Sequence, residues 1–206
     1  MRRGFVDDCD LDAILERHPE AYSDAARFAH ATGWRRGEVL GLVWTGVDHG
    51  SGRVSIPTSK HGDPRTVPVA PELGAILDRR EAARTCGYVF ADGGAYLWRF
   101  SRLWREATVA AGRPGVLFHD LRRSAVRNMI RGGAHEAVVR GIAGHRTPSM
   151  LSRYNIVDSK DTARALVLSA EYRTRSSTVL AQSNSKEKRR PKKERRSEVV
   201  GGGGRI

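Results

Sequence analysis

Cysteine is scarce in this chain of 206 residues, which carries only Cys9 and Cys86. The pair has no metal-ligand spacing and makes no disulfide framework, so a reduced, cytoplasmic setting is the simpler expectation. Long apolar runs are missing as well. No window approaches the ~18 apolar residues of a membrane-spanning helix, which argues against a membrane protein. The opening residues, MRRGFVDDCDLDAIL, turn acidic at once and lack the apolar run of a signal peptide. Acidic residues are in deficit: 23 Asp and Glu face 36 Lys and Arg, a formal charge of +13. Such a balance points to a polyanionic partner, nucleic acid first and an acidic membrane surface second. Hydrophobic residues make up 39% of the chain, enough for an ordinary core, and the length allows one full domain with an appendage.

The composition shifts near residue 173. Residues 186–196 hold eight Lys or Arg and two Glu, a block that buries too little apolar surface to fold alone. Residues 173–206 are therefore expected to be a disordered basic tail, with residues 1–172 as the folded domain. That domain reads as mainly α with a small antiparallel β-sheet. Asp7 or Asp8 can cap a first helix carrying Leu11, Ile14 and Leu15 on one side. A helix over 20–31 is broken by Gly33, and another is expected over 35–43. GRVSIP and RTVPVA alternate and flank the turn chemistry of TSKHGDP, which predicts a hairpin. Pro71 can open a helix over 72–83. A third strand is expected at 88–90, and helices over 95–111, 119–131, 134–143, 147–154 and 160–172. No internal repeat is visible.

Four stretches carry candidate chemistry. In ATGWRRGEVLGLVW, Arg35 and Arg36 sit at a helix start, where a guanidinium presents a planar fork suited to phosphate. In SKHGDPR, Lys60 lies at the hairpin tip, where it can reach a ligand and donate a proton to a leaving oxyanion. In FHDLRRSAVRNMI, His119 and Arg122 are three apart and share a helical face. In GHRTPSMLSRY, His145 lies at a helix junction and Tyr154 about two turns further on. Each side chain alone fits an ordinary surface or packing role. Together they form the set that a metal-free phosphoryl transfer to tyrosine requires. Preorganised cations neutralise developing charge, and acid and base groups serve the two oxygens. A covalent tyrosyl ester conserves the phosphodiester energy.

The order and spacing of these blocks resemble the tyrosine recombinase (phage integrase) family, from about Phe5 to Asp161. TGWRRGE matches the family's T-G-x-R-x-x-E, which selects Arg35 over Arg36 and adds Glu38 as a supporting residue. HDLR matches H-x-L-R and selects His119 and Arg122. AGHRTPSMLSRY matches the closing G-H…R-Y motif and gives His145 and Tyr154; Lys60 maps to the hairpin lysine. The resemblance implies a catalytic domain that breaks and rejoins double-stranded DNA without a cofactor or metal, as a homo-tetramer on DNA in the cytoplasm, at the nucleoid. Arg35, Arg122 and His145 would hold the scissile phosphate, Lys60 would protonate the leaving 5′ oxygen, His119 would serve Tyr154, and Tyr154 would form a 3′-phosphotyrosyl bond. Trp34, Ala143 and Gly46 depart from the family's usual residues without removing a catalytic group. Members normally carry an N-terminal helical DNA-binding domain, and here the catalytic-type sequence begins within a few residues of Met1. The alternative expectation is a truncated, catalytically silent DNA-binding remnant of a mobile-element integrase.

Overall fold

The computed structural model describes residues 4–16, 18–57, 64–145, 147, 163 and 165–174. Residues up to 147 belong to one unit, and 163–174 to a second that is described by itself. In chain order the first unit contains helices α1 (Asp8–Leu15), α2 (Glu20–Thr32) and α3 (Arg36–Leu40), then strands β1 (Val47–Asp48), β2 (Arg53–Ile56) and β3 (Arg65–Pro68). There follow α4 (Pro71–Ala82), the short strands β4 (Ala91–Asp92) and β5 (Ala95–Tyr96), α5 (Phe100–Ala110), α6 (Phe118–Arg131) and α7 (Glu136–Ala143). The architecture is mainly helical with small antiparallel sheets, as expected. In the second unit, residue 163 and residues 165–174 are helical, covering part of the expected 160–172 helix. The expected helix over 147–154 and the tail beyond 174 lie outside the described residues. Among the described residues no helix is long and apolar enough to cross a membrane.

The core is built around α2. Ala25, Ala26, Phe28 and Ala29 are completely buried, and α2 packs against α6. Small side chains allow two helix axes to approach closely. Phe28 meets the rings of Trp34 and Phe90 edge-on at 5.4 and 5.5 Å. A second aromatic group, Phe100, Trp104 and Phe118, joins α5 to the start of α6. α2 ends where the sequence places the break. Gly33 adopts φ 68°, the left-handed conformation of a helix C-cap. A Cβ there would lie 3.3 Å from Ala125 Cβ, so lack of a side chain also lets the α2 end sit on α6. The extended segment before α1 is laced to the same helix. Val6 N donates to Ser124 Oγ at 2.7 Å, and the Arg127 guanidinium covers the Phe5 ring at 4.5 Å. Val6 O lies 3.2 Å from His30 Nε2 on α2.

Several boundaries differ from expectation. Asp7 is the N-cap of α1, but its side chain makes no capping hydrogen bond. The helix expected over 35–43 stops at Leu40. Leu42 and Trp44 are buried while Val43 is half-buried, so this stretch follows the period of two of a strand. It pairs with the segment near Tyr88, as Val89 N donates to Leu42 O and Trp44 N to Gly87 O, both at 2.9 Å. Residues 88–90 form no strand: Tyr88 makes a single bridge to Val43. The chain then folds into the β4–β5 hairpin across the two-residue turn Gly93–Gly94. That hairpin takes Ala95 and Tyr96 from the expected 95–111 helix, which starts at Phe100 instead. The β2–β3 pairing is the predicted one, with Val54 opposite Val67 and Ile56 opposite Arg65. β1 adds an unpredicted third strand through Val47 and Asp48.

Gly33→Ala forces a left-handed alanine, at a cost of roughly 1–2 kcal/mol, and presses its methyl on Ala125. Urea unfolding is expected to show at least that loss.

Candidate active site

Five of the seven residues singled out in the sequence come together around the C-terminal end of α7. Arg35 is the N-cap of α3, His119 and Arg122 lie on the first turns of α6, and His145 follows α7 directly. Glu38 reaches back along α3: its Oε2 accepts from Arg35 N at 2.8 Å, and its Oε1 accepts from Arg35 Nη1 at 3.0 Å. Arg35, His119 and Arg122 line a cleft of about 440 Å³ with Trp34, Arg36 and Leu117. Lys60 and Tyr154 lie outside the described residues.

What gathers these groups is the unfinished end of α7. The last carbonyls of a helix have no intrahelical partner. Gly144 turns into the left-handed region at φ 70°, and the Gly144 and His145 amides both donate to Arg140 O, at 2.8 and 3.1 Å. The first is the bond of a left-handed glycine cap and the second the 6→1 bond of a Schellman end, and together they fix the backbone of His145. Three of the carbonyls that follow are taken by side chains from elsewhere. Trp34 Nε1 donates to Ile142 O at 2.9 Å, Arg122 Nη1 to Ala143 O, and Arg35 Nη2 to Gly144 O at 3.2 Å. Arg122 Nη1 also donates to Gly33 O at 2.6 Å, so one guanidinium holds the ends of both α2 and α7. Cations at helix C-termini are favoured by the helix dipole as well.

A further cation lies here that the sequence reading passed over. Arg65 opens β3 and its Nη2 donates to Glu38 Oε2. Its guanidinium lies 5.3 Å over the Trp34 ring. A signal existed. Strand alternation puts Arg65 on the inward face with buried Val67, opposite buried Ile56, and an inward arginine calls for a carboxylate partner.

The electrostatics follow from this crowding. Burial pushes the Glu38 carboxyl upward, but the Arg35 amide and the guanidiniums of Arg65 and Arg35 outweigh it and hold the group below the usual carboxylate range. His145 is pushed down to about 3, by burial first and then by repulsion from Arg122, Arg35, His119 and Arg65. His119 is lowered as well, by burial and then by Arg122 and Arg123, against the opposing pull of Asp120. Both imidazoles are thus neutral near pH 7, each with one donor and one acceptor nitrogen. Among the described residues, Arg35 and Arg65 share the Glu38 carboxylate while the guanidiniums of Arg36 and Arg122 also line the cleft, so positive charge is in excess there. Chemically, the arrangement is an anion receptor fitted with neutral acid–base groups. The described residues include no cluster of three His, Cys, Asp or Glu suited to a metal ion.

The model of the phage integrase family matches residues 10–161, and the chain belongs to that family. The shufflon-specific DNA recombinase of Escherichia coli is 32% identical over 127 residues, covering 60% of this chain and 31% of the relative. The chain spans 31%, 46% and 42% of the lengths of the three curated relatives it matches. Among solved structures, the catalytic domain of bacteriophage HP1 integrase aligns at 25% identity with a TM-score of 0.59, over 74% of this chain and 87% of that one. A lambda integrase tetramer bound to a Holliday junction aligns with a TM-score of 0.60 at 20% identity, over 77% of this chain and 50% of that one.

The depressed pKa of buried His145 makes the fold acid-sensitive. A buried neutral imidazole does not take up the proton that the unfolded chain accepts near its ordinary pKa of 6.5. Stability therefore falls as pH drops below that value and goes on falling toward about 3 for His145. Urea midpoints are expected to be lower at about pH 5 than at about pH 7.5, with a smaller drop in His145→Gln.

Proposed function

We propose that this chain is the catalytic part of a site-specific DNA recombinase that cuts and rejoins DNA through a covalent bond to Tyr154, without a metal. The observation that carries this reading is the convergence of Arg35, Arg122 and His119 on one cleft, with His145 buried close to the same guanidiniums. Attack on a phosphodiester builds a second negative charge on the non-bridging oxygens. The excess of positive charge at the cleft matches that demand. Neutral His145 donates one hydrogen bond to the phosphate. Neutral His119 accepts the Tyr154 proton, whose ordinary pKa near ~10 requires such help. The phenolate oxygen bonds to phosphorus, the bond to the 5′ oxygen breaks, and Lys60 supplies the proton to that leaving oxygen. The 3′-phosphotyrosyl ester is resolved by the reverse steps on another 5′ hydroxyl. Exchange between two duplexes needs several active sites, and we assign the working form as a homo-tetramer on DNA, the assembly of the lambda integrase structure, acting in the cytoplasm at the nucleoid.

The test is a nicked suicide duplex carrying candidate attachment sites. The wild-type chain is expected to form a covalent protein–DNA adduct, Tyr154→Phe none, and Arg35→Ala about 10²–10³ less. Salt-sensitive DNA binding with no adduct on any substrate would instead identify a silent DNA-binding remnant.

A further inference from the structure

Arg65 takes part in no step above, yet its side chain is only 7% exposed. It is pressed between the Trp34 ring and the α7 end: a Cβ on Gly144 would fall 2.6 Å from Arg65 Nη1. A cation is not buried in this way without a counter-charge, and its partner is the same carboxylate that holds Arg35. Glu38 Oε1 accepts from Arg35 and Oε2 from Arg65. The consequence is a matter of charge. Paired with Arg35 alone, Glu38 would cancel the guanidinium that faces the cleft, and an incoming phosphate would meet a neutral ion pair. With Arg65 sharing the carboxylate, the trio keeps one positive charge. Arg35, 27% exposed, is the member able to present it. Trp34 supplies the face that a buried guanidinium prefers, and the planar guanidinium suits this site where a lysine would not.

We propose that Arg65 is a positioning residue that neutralises Glu38 and thereby leaves the charge of Arg35 available to a phosphate. The inference rests on reading the cleft as a phosphodiester site. It implies that Glu38 serves to orient Arg35 and that Arg65 offsets the charge this orientation introduces. Loss of Arg65 should therefore harm anion binding only while Glu38 is charged.

The test uses the full chain and inorganic phosphate, with affinity read from the imidazole resonances of His119 and His145. Arg65→Met is expected to bind phosphate about tenfold more weakly, equivalent to about 1.4 kcal/mol. The double variant Glu38→Gln/Arg65→Met is expected to return to within about threefold of wild type. A residue that merely held the fold would lower the urea midpoint of Arg65→Met while leaving the phosphate affinity of the folded protein unchanged. Removing both members of a buried ion pair is tolerated better than removing one, so the double variant carries the test alone if Arg65→Met does not fold. Unchanged affinity in Arg65→Met, a tenfold loss persisting in the double variant, or no phosphate binding by the wild type would each overturn the proposal. Adduct formation on the suicide duplex is measured in parallel. Its failure in the wild type, with the phosphate pattern intact, would sink the recombinase reading and leave the role of Arg65 standing.

Discussion

The C-terminal end of α7 is the constraint on which the site depends. Its last carbonyls need donors, and they receive them from an indole and two arginines contributed by the turn after α2 and by α6. This use of hydrogen bonds closes the fold and shapes the cleft together. Arg122 is 2% exposed and could not remain so without the carbonyls of Gly33 and Ala143. Those carbonyls in turn would be left unsatisfied without it, at a cost of about 1–3 kcal/mol each. The guanidiniums are therefore fixed by the fold itself, which is the preorganisation that the proposed phosphoryl transfer requires.

Crowding cations is costly, and the chain manages the cost in two ways. Glu38 enters the cluster as a shared counter-ion for Arg35 and Arg65. The imidazoles of His119 and His145 give up their protons, as burial and the neighbouring guanidiniums require. The outcome is a cleft whose positive charge resides on arginines, which do not titrate near neutrality. Its histidines are neutral near pH 7.

The sequence made much of this legible, and the reasons are local. Arg35 with Glu38, and His119 with Arg122, are separated by three residues on helical segments, so spacing alone brings each pair to one face. Gly33 and Gly144 mark helix ends by chemistry that is read directly from the residue type. What escaped depends on distant partners. Arg65 lies 27 residues from Glu38, and its importance comes from a contact that no local pattern encodes. Trp34, set down as a departure from the family, proves to hold Ile142 O and to cover Arg65. The helix expected over 35–43 ends early for a related reason: its last apolar residues fit a helical stripe as well as an alternating one. Gly41 and pairing with residues 87–89 decide between them.

The lacing of residues 4–7 onto α6 has a mechanical consequence. Val6 is hydrogen-bonded to Ser124, and Phe5 is capped by Arg127, both within two turns of Arg122 along the same helix. A pull arriving along this segment meets no slack loop. It loads α6 first, and through the Arg122 guanidinium it reaches the ends of α2 and α7, so that strain at the domain entrance and alignment of the cleft are carried by one continuous tether.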